Sequence, residues 1–192
     1  YIMNSKDLCL MPRLADVISA NPDSLKIEGR NRSEYYVGSV VHAYRCALDA
    51  YAQNPENFDP APFMESLNRL ESRGYTTAFF DGPVPPSAHN YETTRSTSDW
   101  HAAGVITGGD DKNIIFELRN ETRVGDTITF ILPGTMDSVS VTLPELINAK
   151  TGEHAQKIAA GMGNSILIPR AWLSGMHADK FVPYVLAYKH KR

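Results

Sequence analysis

The repeat of apolar residues changes near residue 80, and no single secondary structure can serve both sides of that change. Before it, apolar side chains recur every three to four positions, the spacing of one helix face. From about His101 onward they alternate every second position in short runs, the spacing of a half-buried strand. Between the two lies Gly82-Pro83-Val84-Pro85-Pro86-Ser87, where neither a helix nor a central strand can persist. The pattern predicts a mixed α/β region over 1–80, a linker over 81–100 and an all-β domain over 101–192.

In the first region a short strand is expected over 1–4, with Ser5-Lys6-Asp7 opening a helix that carries Met11, Leu14, Ala15 and Ile18 on one face. Pro22 stops it. A second strand is expected over 24–28, ended by Gly29, and a long helix over 33–52. The apolar stripe of that helix is Val37, Val40, Val41, Tyr44, Leu48 and Tyr51. Strand, helix, strand, helix at this spacing reads as two βα units of a parallel sheet. A third helix is expected from an Asp59 cap with Pro60 in its first turn, and Gly74 closes it. In the second region six strands are expected near 104–106, 113–118, 127–132, 138–143, 164–168 and 184–188. Their turn-rich boundaries indicate a small barrel or sandwich.

Composition narrows the function classes. The 192 residues hold 19 Lys and Arg against 22 Asp and Glu, a net charge of -3. A wholesale phosphate-neutralising surface is therefore unsupported, while a local basic patch is not excluded. No apolar run approaches the roughly 20 residues of a membrane span, so no membrane partner is expected. Cys9 and Cys46 are too few for a disulfide framework, which points to a reduced, cytoplasmic setting. Both read as packed side chains. The six histidines show no ligand spacing, so no metal site is expected here. The opening residues resemble neither a signal peptide nor a natural start, and the chain is expected to be a piece of a longer protein.

The segment Ser24-Leu25-Lys26-Ile27-Glu28-Gly29-Arg30 holds the strongest functional signal. On a strand, Leu25 and Ile27 share one face and Lys26, Glu28 and Arg30 the other. Opposite charges on a strand buried on both faces are costly unless paired or used. Two readings follow: a Lys26–Glu28 ion pair that closes a barrel mouth, or a catalytic or ligand-binding role for Lys26, Glu28 and Arg30 at strand ends. Asn4, Ser5, Lys6 and Asp7 hold the equivalent place on the preceding strand. There Ser5 or Asp7 would cap a helix, or Lys6 would join Lys26 and Arg30 around a carboxylate or phosphate.

Residues 1–10 and 23–30, then Tyr35-Tyr36-Val37 and Ala43-Tyr44-Arg45, closely resemble the collagenase-like peptidase family, U32, whose catalytic type is unassigned. Arg73-Gly74-Tyr75-Thr76, Asn90-Tyr91-Glu92, Val124-Gly125-Asp126 and Asn148-Ala149-Lys150 extend the likeness toward a subgroup implicated in wobble 5-hydroxyuridine synthesis in tRNA. The resemblance implies the last two βα units of a (β/α) barrel, followed by a small C-terminal β-barrel of the translation-factor kind. It also implies prephenate as a required metabolite, and an iron–sulfur cluster held upstream, since such a cluster needs about four thiolates.

Three functions are open at this point. The first is a segment of a tRNA-modifying enzyme, with tRNA as partner and Lys6, Lys26, Glu28 and Arg30 lining the site. There Glu28 would act as general base or orient Arg30. The second is a peptidase, for which no Ser or Cys is paired with a His by spacing. The third is a C-terminal barrel that binds RNA or a partner protein through Arg119, Arg123 and the terminal basic residues.

Overall fold

Ser33 starts the longest helix of the chain. Its hydroxyl oxygen accepts the Tyr36 N–H at 3.2 Å, satisfying one of the amides that a helix N-terminus leaves unpaired. The computed structural model describes residues 4–161, 163–173, 175 and 177–192, and it divides into two units, Tyr1–Asp99 and Trp100–Arg192.

In the first unit a 3₁₀ turn leads into α1 (Leu14–Ser19), followed by α2 (Glu34–Gln53) and α3 (Ala61–Asn68). Asp59 accepts the Ala61 N–H at 2.9 Å, so its carboxylate caps α3 with Pro60 at the boundary. Buried residues of α2 and α3, among them Val40, Ala43, Ala47, Phe63 and Leu67, form the core with Met11, Leu14 and Leu70. β1 (Asp7–Leu8) pairs in parallel with β2 (Tyr75–Thr76), and all three helices fall within the connection between them.

Several expectations for this region are corrected here. The strand over 24–28 does not form: residues 21–28 are exposed and irregular, with Leu25 39% and Ile27 36% accessible. Alternation assigns faces to a strand but supplies no ladder partner, and Pro22 and Gly29 flank this stretch without one. The parallel pair is instead β1 with β2, so the two consecutive βα units of a (β/α) barrel are not what the fold displays. Of the strand expected over 1–4, only Asn4 lies within the described residues, and it is not in a strand. The Ser5-Lys6-Asp7 stretch likewise does not open a helix.

Of residues 81–100, read as a linker, 81–99 are part of the first unit. Residues 4–9 run between residues 74–76 on one side and 88–90 on the other. The amides of Asp7 and Cys9 donate to Gly74 and Thr76 carbonyls at 2.8 and 2.9 Å, and that of Lys6 donates to Ala88 at 2.8 Å. Ser5–His89 and Ser72–Thr97 form isolated bridges.

The second unit is antiparallel. Its strands are β3 (Trp100–Gly109), β4 (Asn113–Leu118), β5 (Thr122–Arg123), β6 (Thr127–Ile131), β7 (Ser138–Thr142), β8 (Leu146–Asn148), β9 (His154–Ala155), β10 (Lys157–Ile158), β11 (Ser165–Pro169) and β12 (Leu186–His190). Eight of them form one sheet in the order β7-β6-β12-β3-β4-β11-β8-β9, and β5 pairs with β10. The sheet curls around a single core, because one face of each long strand is apolar. Ile114, Phe116 and Leu118 of β4 are buried at alternate positions, each contributing about 1.5–3 kcal/mol. Phe116, Phe130 and Phe181 meet edge to face, with centroids 5.5 and 5.3 Å apart. Gly104 is required where β3 and β4 approach: a Cβ there would lie 2.7 Å from the Phe116 ring and against the Glu117 carbonyl. All six expected strands are present.

Candidate functional site

The first unit holds a cavity of about 900 Å³, within the size range of small-molecule sites. Its charge sets it apart from the rest of the chain. Five cations, Lys6, Lys26, Arg30, Arg32 and Arg73, line it against two carboxylates, Asp7 and Glu28, in a sequence whose net charge is -3.

Asp7 is the anchor of the arrangement. Its side chain is 11% exposed and accepts from Arg32 at 2.8 Å and from Arg73 at 2.7 and 3.1 Å. Two guanidinium groups therefore share one carboxylate, leaving a net positive charge. Arg73 also donates to the Asn4 carbonyl oxygen of the side chain at 3.3 Å, and the Asn4 amide donates to the backbone of Asn90 and Thr93 at 2.9 and 2.8 Å. Arg32 lies 4.7 Å from the centroid of the Tyr36 ring, a cation–π distance. Asn4 and Asp7 thus brace the wall. Ser5 contributes backbone to the bridge with His89 and is exposed.

Lys6 lies along Gly74, whose φ of +86° suits glycine and whose missing side chain leaves room for the lysine stem at 3.3 Å. Among the described residues no carboxylate pairs with the ammonium groups of Lys6 or Lys26, or with the guanidinium of Arg30. Glu28 does not bridge to Lys26: its carboxylate accepts the Arg30 N–H at 2.9 Å, fixing the turn that carries Arg30. The face-sharing argument for Lys26, Glu28 and Arg30 fails with the strand, yet all three border the same cavity as Lys6. Tyr36 and Tyr44 also line it, and burial pushes both hydroxyls up, so they remain neutral donors at pH 7.

The cysteines do not suit a cluster. Cys9 Sγ lies 3.7 Å from both the Tyr44 hydroxyl and Met64 Sδ, and Cys46 Sγ lies 3.6 Å from His42 Nε2. Among the described residues no three His, Cys, Asp or Glu side chains gather as a metal site. The Cys46–His42 contact, one helical turn apart, was missed in the sequence. Its thiol is buried and is not among the side chains that line this cavity.

In the second unit Arg119 pairs with Glu117, and Arg123 with Glu121 at 2.7 Å. Both expected RNA-binding cations are therefore already compensated. Two of the terminal basic residues also have a carboxylate partner. Lys189 is 5% exposed and donates to Asp126 at 2.7 Å, while Arg192 takes the other Asp126 oxygen. Burial opposes the charge on Asp126, but Lys189, the Arg123 N–H and Arg192 together hold its carboxyl below the usual range. Arg32, Arg73 and Asp126 were the residues missed. Arg73 and Asp126 stood within quoted motifs, but their partners are 66 and 63 positions away.

A basic, braced cavity on the first unit is the class of site a small anionic ligand requires. Residues 1–90 match the family model described as peptidase family U32. The chain is 36% identical over 172 residues to tRNA hydroxylation protein P of Escherichia coli (strain K12), covering 88% of this chain and 36% of that protein. It is 32% identical over 136 residues to tRNA hydroxylation protein P1 of Bacillus subtilis (strain 168), covering 69% and 32%. A collagenase of Porphyromonas gingivalis is 27% identical over 139 residues, covering 70% and 38%. The chain thus spans about a third of the length of the curated relatives it matches. No helix among the described residues is long and apolar enough to cross a membrane.

Proposed function

We propose that this chain is part of a tRNA-hydroxylating protein and that its first unit holds an anionic metabolite used in the reaction. The observation that carries the reading is the local excess of positive charge in the cavity of an acidic chain, in a sequence akin to tRNA hydroxylation proteins over 88% of its length. A dicarboxylate of the prephenate type matches the cations left without partners. Lys6 meets one carboxylate, and Lys26 with Arg30 meets the other. Glu28 acts by fixing the Arg30 turn rather than as a base. Arg32 and Arg73, tied to Asp7, supply background field.

An iron–sulfur centre, where the whole protein carries one, draws its thiolates from outside this chain. The second unit, a curled antiparallel sheet, is the part offered to RNA or a partner protein. The setting is cytoplasmic, where tRNA is processed.

The experiment is nucleoside mass spectrometry of tRNA from cells that lack their own wobble hydroxylation and are supplied with the full-length protein. Wild type should restore 5-hydroxyuridine. K26A and R30A should each weaken binding of prephenate about 10- to 150-fold, the equivalent of one charge-assisted hydrogen bond of about 1.5–3 kcal/mol. Unmodified tRNA with the wild-type protein would remove the proposal.

A further inference from the structure

The turn that follows β2 shows an arrangement that a metabolite site does not need. Thr77-Ala78-Phe79-Phe80-Asp81 projects two phenylalanines, and Phe79 is 78% exposed. It is not a slack tip. The Ala78 N–H donates to Thr76 Oγ1 at 3.1 Å, and the Thr77 hydroxyl donates to Asp81 at 2.9 Å. Arg13 grips the other Asp81 oxygen at 2.6 Å. The amides of Phe80 and Gly82 return to the carbonyls of Thr77 and Phe79, each at 3.1 Å. Ala78 takes a φ of +50°, which a side-chain-bearing residue adopts at some cost. The backbone is held so that Phe79 faces outward.

Phe79 also borders the cavity lined by Lys6, Lys26 and Arg30. A single exposed apolar residue means little by itself. A rigid aromatic ring beside cations that lack carboxylate partners is the pairing that single-stranded nucleic acid uses: a flat surface for a base, and positive charge for the neighbouring phosphates. Single-stranded loops are also where RNA bases are free to leave their stack. An apolar peptide segment would satisfy the ring but leave the cations unmatched.

We propose that Phe79 is a stacking platform for an unpaired base of an RNA loop, placed at the mouth of the cavity by the braced Thr77–Asp81 turn. The inference rests on the tRNA reading above and adds the element that receives the base. Lys26 and Arg30 contact the flanking phosphates when no metabolite fills the cavity.

The test measures binding of the full-length protein to two labelled RNAs: a hairpin with a seven-nucleotide loop, and a blunt duplex of the same length. F79A should weaken hairpin binding about 5- to 150-fold, the range found when a stacking aromatic is truncated. It should leave duplex binding and the thermal midpoint unchanged, and F79W should restore hairpin affinity. Wild-type hairpin affinity in F79A overturns the platform while leaving the tRNA reading intact. A fall in the thermal midpoint with equal loss of both RNAs also overturns it, because Phe79 would then be packed within the longer protein. Absence of hairpin binding by the wild type removes the tRNA reading and the platform together.

Discussion

Replacing Lys189 with Met would remove one ammonium and keep nearly the whole length of its stem, so the change isolates the charge. In the structure that ammonium donates to Asp126 at 2.7 Å, to Thr122 Oγ1 at 3.4 Å and to the Glu121 carbonyl. Asp126 is 8% exposed. Removing one partner of such a pair costs about 3–5 kcal/mol, because the other is left charged and poorly solvated. Arg192 and the Arg123 N–H remain on Asp126, which places the loss near the lower end, about 3 kcal/mol. For a unit of under about 100 residues, each kcal/mol moves the midpoint about 4–8 °C, so K189M should melt about 12–24 °C below wild type. Both tryptophans, Trp100 and Trp172, lie in this unit, so tryptophan fluorescence follows it selectively. The pH dependence has a definite sign. Asp126 has a folded pKa below its unfolded value near 3.9. The contribution of the pair is therefore full above about pH 4 and is lost as pH falls through the folded value. The gap between variant and wild type should hold steady from pH 7 to 5 and narrow below 4. A shift under about 3 °C at pH 7, or a gap unchanged at pH 2, would refute the reasoning.

Two further outcomes are expected. G104A should destabilise the second unit by about 1–3 kcal/mol, since the added methyl drives into the Phe116 ring and the β4 backbone; an unchanged tryptophan-monitored midpoint would contradict the close approach of β3 and β4. D7A should leave Arg32 and Arg73 facing each other without a carboxylate and cost the first unit about 2–3 kcal/mol. Amide exchange at residues 7–8 and 75–76 should accelerate accordingly, and unaltered exchange there would show that Asp7 braces nothing.

What the sequence made legible was local. The change of period near residue 80, the helix over 33–52 and all six long strands depend on neighbours a few positions apart, and each is present; the expected stripe is not the buried face of that helix, since Val41 is 48% exposed while Tyr35, Ala43, Cys46 and Ala47 are buried. The 24–28 strand misled because alternation between Leu25 and Ile27 specifies two faces but says nothing of a pairing partner. Here β2 takes the place beside β1. The candidate site was half legible for the same reason. Lys6, Lys26 and Arg30 were singled out by their charge and border one cavity, Lys26 and Arg30 from an exposed loop. The pairing of Asp7 with Arg73 and of Asp126 with Lys189 spans more than sixty residues in each case, beyond any periodic signal. The terminal Lys189-His190-Lys191-Arg192 run read as an RNA- or partner-binding patch because burial of its first lysine depends on a carboxylate that folding alone brings near.

The ladder between β3 and β12 sets His190 opposite Trp100, joining the first and last strands of the second unit at the middle of its sheet. A nascent chain leaving the ribosome must therefore hold β3 and β6 without their shared neighbour until almost the whole unit has been synthesised. Non-local pairing of this kind slows folding and prolongs exposure of sticky strand edges. Truncation within β12 would thus remove the central seam rather than trim a margin, and the unit should succeed or fail as a whole.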